Sequence, residues 1–77
     1  MIIMKITGTR TYIDVEDEGR VIRIQGEMIV GGFVAYKRSM TKWKVPENEP
    51  VTEAEKANII DKIIKKTHGS HMVITFE

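Results

Sequence analysis

His68 and His71 are the only histidines, and the spacing His-x-x-His invites a metal reading. Gly69 stops a helix between them, and neither a cysteine nor an acidic cluster completes a ligand set, so they read as helix-end and strand-start residues. Ser39 and Ser70 are the only serines, and neither sits on the strand-to-helix elbow that activates a nucleophile. The carboxylates Asp14, Glu16, Asp17 and Glu18 crowd a hairpin tip, where a solvated loop that discourages sheet aggregation is the simpler account. Gly31-Gly32 is followed by an apolar, strand-like run, whereas a phosphate-binding loop must feed a helix N-terminus. Catalytic, cofactor and metal residues are therefore expected to be absent.

Two stretches combine charge with aromatic surface. Tyr36, Lys37, Arg38, Lys42, Trp43 and Lys44 place four positive charges beside two rings; Glu47, Glu49, Glu53 and Glu55 follow with four negative ones. The basic stretch has three readings. Rings that stack on bases and cations that neutralise phosphates would make a single-stranded nucleic-acid site, although the acidic run next door would repel the same ligand. Trp, Tyr and Arg anchors flanked by patches of opposite sign would make a protein interface. Trp43 would otherwise be a rim residue covering one end of the core. For a partner surface the candidate residues are Tyr36, Lys37, Arg38, Lys42, Trp43, Lys44, Glu47 and Glu49.

The elements that position these residues must come from 77 residues, 42% hydrophobic and 30% charged, with 12 Lys+Arg against 11 Asp+Glu. A chain this short buries about 60% of its extended surface and builds one small core, which disfavours a deep active site and so an enzyme. The absence of cysteine removes disulfides and thiolate chemistry, which fits a reducing cytoplasm. No apolar run is long enough for a bilayer, and Met1-Ile2-Ile3-Met4-Lys5 does not resemble a signal peptide.

Strands are predicted over Ile2 to Thr7 and Arg10 to Glu16. Asp17-Glu18-Gly19 should close a three-residue hairpin, and Arg20 to Val30 should form one long strand bent at Gly26. Gly31-Gly32 predicts a two-residue turn with positive φ at both positions, leading into Phe33-Val34-Ala35-Tyr36. Lys37 to Lys44 is either a short helical turn or an irregular edge segment, and Pro46 and Pro50 bound a polar loop. Thr52-Glu53-Ala54-Glu55 is a capping box, and the stripe Ile59, Ile60, Ile63, Ile64 predicts a helix to about Thr67, stopped by Gly69. His71 to Phe76 should be a last strand, with Met72, Ile74 and Phe76 on one side. The fold class is thus a single α+β domain: a mostly antiparallel sheet of about five strands, one amphipathic helix packed on one face, and a final strand after the helix.

Gly8-Thr9-Arg10, the run Arg23-Ile24-Gln25-Gly26-Glu27-Met28, the run from Gly31 to Lys37, Trp43 and the capped Ile-rich helix together resemble the bacterial immunity protein 74 family, from about Met4 to Glu77. That resemblance implies a cytoplasmic, non-enzymatic antidote that binds the cognate toxin encoded beside it, with Trp43 as the family's single tryptophan. If the toxin is a nuclease, the acidic run Glu47 to Glu55 would imitate a phosphate backbone.

Overall fold

Alternation of side chains builds the first half of the sheet. In the computed structural model, which describes residues 4–77, β1 (Met4–Gly8), β2 (Tyr12–Asp17) and the first part of β3 (Arg20–Ile29) form an antiparallel meander. The register sets Ile13 opposite Ile24, Val15 opposite Ile22 and Ile6 opposite Val15. Since successive strand residues point to opposite faces, all these side chains share one face, and Ile13, Val15, Ile22 and Ile24 are buried. Of the expected first strand, Ile2 and Ile3 lie outside the described residues.

Both early turns differ from the sequence reading, the first in position and the second in length. Arg10 and Thr11 belong to the β1–β2 turn, in which the Thr9 N–H donates to the Tyr12 carbonyl at 2.8 Å, so β2 starts at Tyr12 instead of Arg10. The β2–β3 loop has two residues, not three: Asp17 pairs with Arg20, and Glu18 (φ 53°) joins Gly19 (φ 80°) in the left-handed region. Two positive φ values give the turn whose twist matches the strands. Asp17 stays in the strand because its side chain is buried and accepts a hydrogen bond from Lys62 at 2.9 Å.

β3 is a single long strand that changes partner at Gly26. Tyr12 to Asp17 pair with its first six residues, and Gly26–Ile29 pair with β4 (Gly32–Ala35). The β3–β4 turn is Val30-Gly31, with positive φ at Gly31 alone (81°), one residue earlier than expected. Gly32 is a strand residue instead, because β5 (Val73–Phe76) passes so close that a Cβ there would lie 2.2 Å from the Val73 carbonyl oxygen.

The chain then makes a 3-10 turn (Lys37–Ser39), a loop, and α1 (Glu53–Thr67) before entering β5. The capping box closes as expected: Thr52 Oγ1 accepts from the Glu55 N–H at 3.1 Å, and Glu55 Oε1 from the Thr52 N–H at 3.0 Å. Gly69, at φ 76°, follows the helix end. A connection that contains a helix returns the chain in the same direction, so β5 pairs parallel with β4, Phe33 beside Ile74 and Ala35 beside Phe76. The five strands lie in the order β1-β2-β3-β4-β5 as a mixed sheet. The helix buries Ile59, Ile63 and Thr67 against it, whereas Ile64 faces outward; the real stripe is narrower than the four isoleucines suggest. β5 is shorter than predicted, with Ile74 buried and Met72 exposed before it.

Candidate partner-binding surface

The loop between the 3-10 turn and α1 carries most of the charged candidates, and its backbone is tied at both sides. The Trp43 N–H donates to the Glu49 carbonyl (2.7 Å), the Asn48 N–H to the Trp43 carbonyl (3.1 Å) and the Val51 N–H to the Thr41 carbonyl (3.1 Å). On the other side, the Lys44 N–H donates to the Val21 carbonyl (2.7 Å) and the Val21 N–H to the Val45 carbonyl (2.9 Å). The loop thereby fills the edge of β3 that β4 leaves free. Its main chain is held like an extra strand.

Trp43 is the reason the loop sits there. Its ring is 1% exposed, a full member of the core with Phe33, Ile22 and Ile63. The Arg20 guanidinium stacks 4.1 Å from the ring centroid and pairs with Glu55 at 2.6 Å, joining loop, hairpin and helix start. Trp43 therefore offers no ring face to a partner and is more than a cover at the core's rim. Its Nε1 is buried with no hydrogen-bond partner, an uncompensated cost that the burial of the ring outweighs.

Lys42, Lys44 and Glu47 are exposed and, with Trp43, border an open cleft of about 370 Å³ that also takes in Arg23 and Asn48. Glu49 is exposed on the same loop but does not line the cleft. Tyr36, Lys37 and Arg38 stand apart from it at the 3-10 turn: Tyr36 is half-buried, the Arg38 guanidinium lies 4.6 Å over its ring, and Lys37 is exposed. Glu55, at the end of the acidic run, is taken up by the helix cap and Arg20, so it is not a free surface carboxylate.

The sequence reading missed one part of this surface. On the face opposite the helix, Arg23 donates to Asp14 through both Nε (2.9 Å) and Nη2 (3.0 Å), lies 3.9 Å from the Tyr12 ring centroid, and shares Asp14 with Lys44 at 3.5 Å. The signal was available in hairpin arithmetic: with Asp17 opposite Arg20, Asp14 must lie opposite Arg23. An arginine fixed by a two-pronged carboxylate bond and a ring loses little freedom when it is covered.

Arg23 also holds the Asp14 carboxyl below its usual range, against the smaller opposing effect of desolvation, with help from Lys44. The Glu55 carboxyl is held lower, at about 2 against an ordinary 4.5, first by the Thr52 backbone N–H and then by Arg20. Both groups bind fewer protons when folded, so their stabilisation is complete above the unfolded value and is lost as pH falls toward the folded one. Urea midpoints should therefore decline from pH 5 toward pH 2. Glu55→Gln keeps a capping amide and removes the charge, so its midpoint should lie below the wild type at pH 5 and converge with it near pH 2. Parallel curves would show that Glu55 does not carry this dependence.

Among the described residues, no group of three or more His, Cys, Asp or Glu side chains could hold a metal ion, and no helix is long and apolar enough to cross a membrane. No curated protein and no solved structure matches the chain. A family model described as Immunity protein 74 matches residues 5–77, the stretch that contains the helix and, but for Met4 at the start of β1, every strand described above. With that match over essentially its whole length, the chain belongs to the immunity protein 74 family.

Proposed function

We propose that this immunity protein acts in the cytoplasm by binding a cognate bacterial polymorphic toxin domain and occluding it, without chemistry of its own. The observation that carries the reading is the tied loop beside the open face of β3. There Arg23, Lys42 and Lys44 meet Glu47 across a cleft whose walls are already ordered. A partner that covers such a surface orders few additional groups, and adjacent charges of opposite sign fix its orientation. A standard interface takes roughly 800 Å² per partner, about one sixth of the 5188 Å² exposed here. Lys37, Arg38, Tyr36 and Glu49, which lie outside the cleft, would serve at most as rim contacts, and Trp43 acts from inside by holding the loop in place. The nucleic-acid reading loses its main stacking face to the burial of Trp43.

Co-expression with the toxin encoded beside it tests the proposal. A complex should form and cells should survive; neither happening would overturn the reading. The double variant Lys42→Glu/Lys44→Glu should stay folded, with a small loss of thermal stability because position 44 then faces Asp14 with like charge, and bind roughly 10- to 100-fold more weakly, chiefly through slower, salt-sensitive association. Unchanged affinity would move the interface away from this cleft.

A further inference from the structure

The two outer strands of the sheet end in different ways. At the start of β5, two main-chain groups that point away from β4 are taken up near the helix terminus: Thr67 Oγ1 accepts from the Ile74 N–H at 3.3 Å, and the Ser70 hydroxyl donates to the Met72 carbonyl at 2.7 Å. At β1 the ladder fixes which groups are free. Thr9 donates to Tyr12, so by the two-residue alternation of antiparallel pairs Thr7 and Lys5 bond across to Asp14 and Glu16. The N–H and C=O groups of Met4, Ile6 and Gly8 then point out of the sheet, and among the described residues no hydrogen-bond partner faces them. An edge whose outward groups are open along the whole strand is a template for one more strand.

What lies beside that edge specifies the strand. Two cavities of about 300 and 260 Å³ that share Lys66 lie beside β1, the first against the second half of α1 and the second against the helix end and β5. Met4 lines the first, and Ile6 and Ile74 line the second. Lysines form the rim. Lys62 is held by Asp17, Lys65 makes only an exposed pair with Asp61, and Lys66 has no ion pair among the described residues; Lys5 stands apart from them, exposed on the opposite face of β1. An exposed pair of the Lys65–Asp61 kind contributes little and is readily exchanged for another carboxylate.

We propose that the β1 edge is a docking site for an extended, acidic segment of another protein, with apolar residues at alternate positions. Its main chain would continue the sheet at Met4, Ile6 and Gly8. Alternate side chains would enter the groove over Met4 and Ile6, beside Lys65 and Lys66 on the helix, and the carboxylates between them, on the other face of the strand, would meet Lys5. The site lies apart from the loop cleft and stands whether or not a toxin uses that cleft.

The test is a titration of the ¹⁵N-labelled full chain with an acetylated peptide of three Glu-Val repeats, with three Lys-Val repeats as the comparison. Saturable shifts and slowed amide exchange at Met4, Ile6 and Gly8 are expected, with the lysine peptide binding at least about tenfold more weakly. Lys5→Glu, at an exposed position on the outer face of β1, should abolish the preference for the acidic peptide. No saturable shift at millimolar peptide, an equal response to both peptides, or shifts centred on Val73 to Phe76 would overturn the proposal. The same shifts on raising protein concentration without peptide would also overturn it, by giving the edge to a second copy of the chain.

Discussion

Trp43→Ala is expected to lower stability by about 3–5 kcal/mol, the usual cost of emptying a fully buried large aromatic site. The ring is 1% exposed and lies among the largest fully buried side chains of the domain. Its removal leaves a cavity under the loop and strips the Arg20 guanidinium of its stacking partner at 4.1 Å. A domain of 77 residues has about 4–12 kcal/mol of total stability at ordinary per-residue values, so this single change removes a large share of it. Urea denaturation should show a midpoint shift with little change in slope, and a melting temperature lower by roughly 15 °C or more. Trp43→Phe should lose distinctly less, since most of the ring volume returns and the unpartnered Nε1 disappears. A change below about 1 kcal/mol for the alanine variant would mean that the ring is not in the core. If the loop cleft is the partner surface as proposed, the phenylalanine variant, once folded, should bind like the wild type, because the Trp43 ring holds the loop from inside and offers no face to a partner.

Trp43 also shows where sequence reasoning stops. Local composition, a ring between Lys42 and Lys44, looks like a stacking surface, yet alternation in an extended segment sends the two lysines one way and the ring the other. Nothing in the neighbouring residues announces that the loop pairs with β3 at Val21, a contact across more than twenty positions. The helix was readable because its signals are local: a capping box at Thr52 and Glu55, an isoleucine period, and Gly69 after the end. The strands were readable from alternation, and α+β followed from one amphipathic helix beside several half-apolar strands. Register was harder. A three-residue loop at Asp17-Glu18-Gly19 would slide Asp14 past Arg23 and hide that pair, and only the left-handed conformation of Glu18 brings them opposite. The parallel pairing of β5 likewise depends on where the helix delivers the chain. Of the candidate surface, the exposure of Lys42, Lys44, Glu47 and Glu49 was legible; the burial of Trp43 and the inclusion of Arg23 were tertiary outcomes.

Gly26→Ala should be strongly destabilising, although it adds one methyl group and removes a flexible residue. The backbone at Gly26 does not have positive φ, so conformational freedom is not why glycine is needed. The reason is space. A Cβ at this position would sit 2.1 Å from the Val34 carbonyl oxygen and 2.4 Å from the Phe33 ring, a buried side chain. The carbonyl belongs to the strand that Gly26 pairs with, so relief requires β4 to withdraw, and β4 also carries β5. A cost of about 3 kcal/mol or more is expected, at the upper end of overpacking penalties, because backbone must move as well as side chain. Gly19→Ala provides the contrast: φ is 80° but nothing lies within 4 Å of the added atom, so it should cost only about 1–2 kcal/mol of conformational strain. If the two variants unfold at the same urea concentration, the close approach at Gly26 is not what the position demands. If Gly26→Ala is far the weaker, the expected disturbance extends to function. β4 leads directly into the 3-10 turn and the loop of Lys42 and Lys44, so a withdrawn β4 should weaken toxin binding even at temperatures where the domain remains folded.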